Sequence, residues 1–226
     1  MASAGSRTSG GHHGVGGPGD VHYNRIRDDL VHGTFPPGTV LLETVLSERY
    51  GVSRTPVREA LGRLAQDGFI DRGSRGFVVR HRGPEEILAI YEARISLEST
   101  AAALAAERRT SFDLTRLDHL VEQRRAATGT ADRATLTAMN EEWHRALRAA
   151  ARNDIVAGFL DRLDSLLAIY RPAITIQAGP DRTVPEHGAV LDAVRASDPE
   201  EAGRAMTVHL ARMRDLRIEA LARESG

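Results

Sequence analysis

Three histidines in the C-terminal half of the chain have the spacing of side chains that point into one interior. Each falls on the apolar side of its own helical stripe, at positions His144, His187 and His209. Burying several imidazoles without partners is costly, whereas a divalent cation satisfies them together as neutral nitrogen ligands. Asn140 precedes His144 by one helical turn and would add a carbonyl oxygen on the same face. The pattern predicts a divalent metal site, with zinc as the expected ion and nickel or manganese as alternatives.

A single inward histidine has a simpler interpretation, as a core residue that is hydrogen-bonded to a neighbour. That alternative applies to each of the three rings taken separately, and it weakens when all three occur on separate helices. His119 differs from them, because it falls off the apolar stripe of its helix and is predicted to be exposed.

Arg94 is a charged residue in an otherwise apolar row that also contains Tyr91. One interpretation is an ion pair across the helix surface with Glu98, four residues later. The other is an anchor for the carboxylate of a small ligand, for which the planar guanidinium group is suited. The second interpretation places Arg94 and Tyr91 in an effector-binding site, and both interpretations stay open.

A second candidate for chemistry is the run GVSRTPVREAL, residues 51–61. Ser53 is a favourable N-cap residue for a helix, and Arg54, Thr55 and Arg58 follow it on the side away from the apolar stripe. A helix that presents short polar and guanidinium groups at its N-terminal end is suited to the DNA major groove. The alternative is a surface helix with solvated arginines.

The elements on either side of this helix favour DNA binding. A short helix ends at Tyr50 before it, and Gly51 allows the sharp turn of a helix-turn-helix. Two short runs after Gly68 predict a β-hairpin. The hairpin tip is basic and rich in glycine, as a wing that contacts DNA would be, and its candidate residues are Arg72, Gly73, Arg75 and Gly76. These elements predict a winged helix-turn-helix.

Composition excludes several classes of protein. The 226 residues include no cysteine, so there is no disulfide framework and no thiolate metal site. No apolar run has the length of a membrane span, and we expect a cytoplasmic protein. The whole chain has a net charge of −1, yet residues 21–82 hold ten arginines against seven acidic residues. The positive charge is therefore concentrated where phosphate contact is predicted.

Helical periodicity continues through the remainder of the chain. The predicted helices span residues 84–109, 112–128, 131–152, 154–177, 184–196 and 199–224, with Ser111 and Asp198 as caps and a kink at Pro172. The predicted domains are a disordered tail over 1–20, a winged helix-turn-helix over 21–80, a linker over 81–84 and an all-helical domain over 85–226. We therefore predict a mainly α protein whose C-terminal part is an antiparallel helical bundle.

The N-terminal segment resembles a known family. Phe35-Pro36-Pro37-Gly38, the run 51–61, Leu64, Gly68 and the wing are similar to the N-terminal domain of GntR-family bacterial transcription regulators. The resemblance covers nearly all of residues 21–80, and it implies that Arg54, Thr55 and Arg58 touch DNA.

The C-terminal pattern resembles the all-helical FCD ligand-binding domain of FadR-type GntR regulators. The resemblance covers roughly residues 84–223 and is carried by Asn140-x-x-Trp143-His144, Asn153, Glu186-His187 and His209. It implies a metal held by an aspartate and three histidines, with small carboxylates binding above it, and it favours effector contact by Arg94 and Asn153. This chain departs from the family pattern at two positions, with Asn140 in place of the usual aspartate and Trp143 in place of the usual phenylalanine.

These features predict a homodimeric transcription regulator, a repressor rather than an enzyme, that binds a pseudo-palindromic double-stranded DNA operator. A small carboxylate bound at the metal-containing pocket would modulate operator affinity. One alternative is a metalloenzyme domain fused to a DNA-binding module, which is disfavoured because no HExxH motif and no acid on the inward stripes is evident. A second alternative is a metal-free regulator whose histidines bind an organic anion directly.

Overall fold

The computed structural model of the protein describes residues 18–169 and 182–224. They divide between two compact units, one that ends at Arg80 and one that begins at His81, each with its own buried apolar residues. Most of the predicted disordered tail, residues 1–17, lies outside the described residues. Residues 18–20 correct that prediction, because the first helix begins at Pro18, where the missing N–H of proline costs nothing.

The N-terminal unit consists of three helices and a small antiparallel sheet. Its elements are α1 Pro18–Val31, β1 Val40–Leu41, α2 Glu43–Tyr50, α3 Arg54–Gln66, β2 Ile70–Gly73 and β3 Gly76–Val79. The strand order is β1-β3-β2, so the predicted hairpin is present and a short strand that the sequence did not reveal pairs with its outer edge. Helix α1 packs on α3, and the two predicted helix-turn-helix elements are α2 and α3.

The apolar stripe of α3 forms the centre of this unit. Val57, Ala60, Leu61 and Leu64 are fully buried. Gly51 ends α2 in the left-handed conformation at φ +68°, which allows the sharp turn into α3. Ser53 is at the N-cap position as predicted, but its side chain makes no capping hydrogen bond.

The wing is a hairpin with a two-residue turn, because Gly73 pairs with Gly76 across it. Gly76 is at φ +145°, and a Cβ added there would lie 2.8 Å from the carbonyl oxygen of Leu41. Only glycine lets β3 approach β1 this closely. Gly76, at the tip of the hairpin, therefore allows the close contact between the hairpin and β1.

The C-terminal unit is all helical within the residues that the structure describes. Its helices are α4 Pro84–Arg108, α5 Ser111–Ala127, α6 Arg133–Ala150, α7 Asp154–Ala168, α8 Thr183–Ala196 and α9 Pro199–Glu224. Helix α4 packs against α6, α7, α8 and α9, so side chains on several of its faces are buried. Small and aliphatic residues from these helices, together with Trp143, make up the core.

Two helix-cap predictions have different outcomes. Asp198 accepts a hydrogen bond from the backbone N–H of Glu201 at 2.9 Å, which confirms it as a cap. The prediction for Ser111 is wrong by one residue, because Thr110 is the N-cap and forms a reciprocal capping box with Asp113. The predicted continuation of α7 beyond Ile169 to residue 177, with its kink at Pro172, lies outside the described residues.

Candidate DNA interface and metal centre

The N-terminal end of α3 presents its polar side chains to solvent. Ser53, Arg54, Thr55 and Arg58 are all exposed, while the apolar stripe behind them is buried. The Arg58 guanidinium group donates to both carboxylate oxygens of Glu43, with distances of 2.9 Å from Nε and 2.8 Å from the terminal nitrogen. This pair connects α2 to α3 and holds the Arg58 side chain extended at the surface.

The wing adds positive charge near the same carboxylate. Arg72, Gly73 and Arg75 are exposed and Gly76 is partly exposed. The Arg72 guanidinium carbon lies 5.5 Å from the centre of the Phe77 ring, which supports the side chain on the hairpin. Hydrogen bonding to Arg58 lowers the pKa of Glu43, and the charges of Arg54 and Arg72 lower it further. The positive charges of arginines on α3 and on the wing are therefore both felt at the Glu43 carboxylate.

The three predicted histidines converge in the interior of the C-terminal unit. His144 on α6, His187 on α8 and His209 on α9 are 2%, 2% and 1% exposed. One ring nitrogen of each lies within 4.8 Å of the corresponding nitrogens of the other two. The predicted exposure of His119 is also confirmed. Three imidazoles from separate helices thus form one buried group.

Two carboxylates border the histidine group and orient its rings. Nδ1 of His209 lies 2.7 Å from Glu186, and Nδ1 of His144 lies 3.3 Å from Glu98. Because a carboxylate only accepts hydrogen bonds, Nδ1 of His209 carries a proton and its Nε2 presents a lone pair, whereas Nδ1 of His144 makes no hydrogen bond to Glu98. The two Nε2 atoms face each other at 3.3 Å. Two lone pairs at this distance would repel, so either Nε2 of His144 carries a proton that it donates to His209 or a cation binds both nitrogens.

Burial disfavours the protonated form of two of these rings, which leaves them neutral as metal ligands must be. Burial lowers the pKa of His209 to about 4, against the opposing effect of Glu186, and burial lowers the pKa of His187 well below its usual value. Nε2 of His187 is buried without a hydrogen-bond partner. Zinc–nitrogen bonds of about 2.0–2.1 Å in tetrahedral geometry separate two ligand nitrogens by about 3.3 Å. The donor set and its spacing therefore suit a divalent ion.

Trp143 fixes the orientation of the third ring. Its indole stacks on the imidazole of His187, with ring centres 3.7 Å apart and planes inclined by 12°. The indole is 1% exposed and is part of the core that surrounds the histidines. The tryptophan that replaces the family's phenylalanine therefore packs directly against a candidate ligand.

Glu98 is the residue that sequence reasoning missed at this site. It is fully buried, accepts from Arg148 at 2.5 Å and lies 3.6 Å from Arg94. Burial raises the pKa of Glu98, but attraction to His144, Arg148 and Arg94 outweighs burial and keeps its pKa below the usual value. Glu98 does not lie on the inward stripes of the histidine helices, which were expected to carry no acid; it comes from α4, which is buried on more faces than one stripe indicates.

The predicted effector residues occupy different environments. Arg94 makes the predicted contact with Glu98 and a closer one, at 3.0 Å, with Asp164 on α7. Asn153 caps α7 by accepting from the N–H of Val156 at 3.1 Å. Tyr91 is buried, with 6% of its surface exposed, and Asn140 is partly exposed one turn before His144. Effector contact by Arg94, Tyr91 and Asn153 stays a prediction.

Two family models match the chain. The model described as "Bacterial regulatory proteins, gntR family" matches residues 20–79, and the model of the FCD domain matches residues 89–212. The first match covers the winged helix-turn-helix and the second covers the bundle that contains the three histidines.

Relatives align with the chain over most of their length. The chain is 30% identical over 205 residues to a probable D-xylose utilization operon transcriptional repressor of Paenarthrobacter nicotinovorans, covering 83% of this chain and 85% of the relative. It is 28% identical over 190 residues to the HTH-type transcriptional repressor RspR of Escherichia coli, covering 83% of each. The fold matches the solved structure of E. coli McbR/YncC with a TM-score of 0.74 at 24% identity, over 94% of this chain and 100% of that one.

The two named repressors and the two family models are those of transcriptional regulators, which confirms the prediction that the protein is not an enzyme. Within residues 18–169 and 182–224, none of the helices has the length and apolar character to cross a membrane. The mainly α architecture with a winged helix-turn-helix and a helical bundle is also as predicted. The chain belongs to the gntR family of bacterial regulatory proteins and is a DNA-binding transcriptional regulator with a C-terminal FCD domain.

Proposed function

We propose that the protein is a homodimeric repressor that binds a pseudo-palindromic operator. The α3 helices of two copies would enter successive major grooves, about 34–36 Å apart. Arg54, Thr55 and Arg58 would contact base edges and phosphates, and Arg72 and Arg75 of the wing would contact the backbone or minor groove. The exposure of these side chains around the N-terminal end of α3 is the observation that carries the proposal.

The exposed face of α7 supports dimer formation. Ile155 is 73% exposed and Phe159 is 58% exposed, next to Gly158, whose Cα surface is open. If two α7 helices packed antiparallel about a two-fold axis through Gly158, Asp154 of each copy would lie opposite Arg162 of the other. Such packing would bury both apolar side chains and pair opposite charges.

The proposed sensor is a divalent cation, zinc in the first instance, held by His144, His187 and His209. Bound there, the cation would supply a positive centre that attracts the carboxylate of a small effector. Glu186 accepts from Nδ1 of His209, so that Nε2 of this ring is available as a ligand atom, and the Glu98 carboxylate lies 3.3 Å from Nδ1 of His144. Asn140 is a neutral residue where the family has aspartate, so the ligand set in this chain carries less negative charge.

Effector binding would change operator affinity only if the effector prefers one state of the protein over the other. The connection between the two units is short, since β3 ends at Val79 and α4 begins at Pro84. A rearrangement of the helical bundle in the dimer would therefore change the position of the two winged helix-turn-helix units. Repressor activity is proposed because RspR and the D-xylose operon relative are named as repressors.

DNA recognition is tested by selecting bound duplexes from a random-sequence library with the full-length protein. The expected result is an enriched pseudo-palindrome with half-sites one helical turn apart. Arg54→Ala should weaken binding to that duplex at least tenfold, whereas Arg116→Ala, which removes an exposed arginine of the C-terminal unit, should not. A selected site without symmetry, or equal effects of the two substitutions, would contradict the proposal.

The metal is tested by elemental analysis of protein purified without chelators. We expect about one divalent ion per chain, its loss in His144→Ala and its retention in His119→Ala, which removes an exposed histidine. If the wild-type protein holds no metal and takes up none when titrated with zinc, the metal-free alternative is supported instead.

A further inference from the structure

We propose that Arg217 on α9 forms an anion-binding subsite of the FCD domain, which accepts the carboxylate group of a small organic acid. Identifying this anion as the effector rests on the proposed function, whereas the binding of an anion does not. Arg217 is not one of the three histidines or of the predicted effector residues, and it lies beyond the residues that the FCD model matches.

Arg217 is buried without a counter-charge. Its residue surface is 5% exposed, yet among the residues that the structure describes no carboxylate forms an ion pair with it. Its side chain donates to a neutral oxygen, the carbonyl of Leu167, at a long distance of 3.4 Å. Nε has no hydrogen-bond partner. A guanidinium group has five N–H donors, so much of its capacity is unused.

Arg148, a second deeply buried arginine near α7, has carboxylate partners, in contrast to Arg217. Arg148 is equally buried, but it contacts Glu98, Asp161 and Asp164 at 2.5, 3.2 and 2.7 Å. Arg94 shares two of these carboxylates. The three carboxylates of this network thus all contact Arg148 or Arg94, and none of them forms an ion pair with Arg217.

The surroundings of Arg217 strengthen the case for an anion. Burial lowers its pKa, Tyr91 opposes that effect, and the positive charges of Arg133 and Arg94 lower it further. A buried cation in a positive local potential is costly unless an anion joins it. The planar guanidinium group suits the two oxygens of a carboxylate.

The competing explanation is a purely structural arginine that ties the end of α7 to α9 through the Leu167 carbonyl. The two explanations predict opposite results when the charge is removed. Loss of a structural hydrogen bond destabilises the protein, whereas loss of an uncompensated buried cation is neutral or stabilising.

The test is thermal unfolding of the full-length protein, followed by the fluorescence of Trp143, its single tryptophan. Sodium acetate is compared with sodium chloride at equal ionic strength. The protein is first treated with a chelator and then dialysed, so that acetate cannot bind through a metal. We expect acetate to raise the melting temperature of the wild-type protein and Arg217→Met to weaken acetate binding at least tenfold.

In the absence of acetate, Arg217→Met should be at least as stable as the wild-type protein. Arg217→Lys keeps the positive charge but lacks the planar guanidinium group, so it should bind acetate with intermediate affinity. This variant can be measured even if Arg217→Met folds poorly. Arg204→Met, at an exposed position of the same helix, should respond to acetate as the wild type does.

The proposal is overturned if acetate stabilises the wild-type protein no more than chloride, or if Arg217→Met and Arg217→Lys both keep the full acetate response. It is also overturned if Arg217→Met destabilises the protein while the wild type shows no acetate response, since that result identifies a structural arginine. None of these outcomes depends on operator binding, so the subsite can fail while the proposed repressor function stands, and the reverse.

Discussion

Replacing Glu98 by glutamine should destabilise the C-terminal unit more than any comparable change on the surface of α4. The substitution keeps the shape of the side chain and removes its charge. Glu98 is fully buried and its Oε1 atom contacts Arg148 at 2.5 Å and Arg94 at 3.6 Å. After the change, two guanidinium groups in the interior would share Asp164 as their main buried counter-charge.

The expected magnitude follows from removing one partner of a buried ion pair, which costs about 3–5 kcal/mol. The glutamine amide also places N–H donors against guanidinium donors, so the lost acceptor is not replaced. For a unit of this size each kcal/mol lowers the melting temperature by about 2–4 °C, which gives a decrease of about 6–20 °C. An effect of this size is a large fraction of the stability of a typical domain.

Urea unfolding monitored by Trp143 fluorescence measures this change directly. Trp143 is the single tryptophan and is 1% exposed in the core of the same unit, so its signal reports that unit. Chelator-treated, dialysed protein is used, so that loss of a metal does not add to the effect. The matched control is Glu107→Gln, which removes a carboxylate from an exposed position of α4.

The reasoning would be refuted by a loss below about 1 kcal/mol for Glu98→Gln, the size expected of exposed ion pairs. An effect equal to that of the control would be equally decisive. Either result would mean that water or a rearrangement of the arginines replaces the carboxylate, and that the network does not hold α4, α6 and α7 together.

Three further results are expected. Gly76→Ala should destabilise the N-terminal unit by about 1–3 kcal/mol, because its φ of +145° and its 2.8 Å approach to β1 exclude a Cβ. Gly62→Ala in helix α3, where an added Cβ meets nothing, should stabilise the unit. Thermal unfolding followed by circular dichroism measures both effects. Asn140→Asp should bind zinc at least tenfold more tightly in competition titrations, since it restores a negative charge one turn before the first histidine, and an unchanged affinity would place residue 140 outside the metal site. Thr110→Val should cost about 1 kcal/mol through loss of the α5 cap, while Ser111→Ala should cost almost nothing in the same urea assay.

Much of the N-terminal unit was predictable because its signals are local. The spacing of Val57, Ala60, Leu61 and Leu64 identifies the buried side of α3, and the same helical period leaves Arg58 on the exposed side. The glycines of the wing mark its turn for a similar reason, since backbone conformation depends on the residue itself. The extra strand β1 was not predictable, because a two-residue strand has no period and exists only through its pairing with β3.

Periodicity also determined that His144, His187 and His209 point inward, since the helical repeat alone decides which side of a helix is apolar. Tertiary structure decided which charges meet. Glu98 was paired in sequence with Arg94, four residues away, yet its shortest contact is with Arg148, fifty positions along the chain.

Arg217 was likewise unremarkable in sequence, on a helix with charged residues on several faces, and only the packing of α9 buried it away from any described carboxylate. The physical reason is that amphipathic spacing records how each helix faces the core. The partner that a buried charge finds depends on how separate helices lie against one another, and no local pattern carries that information.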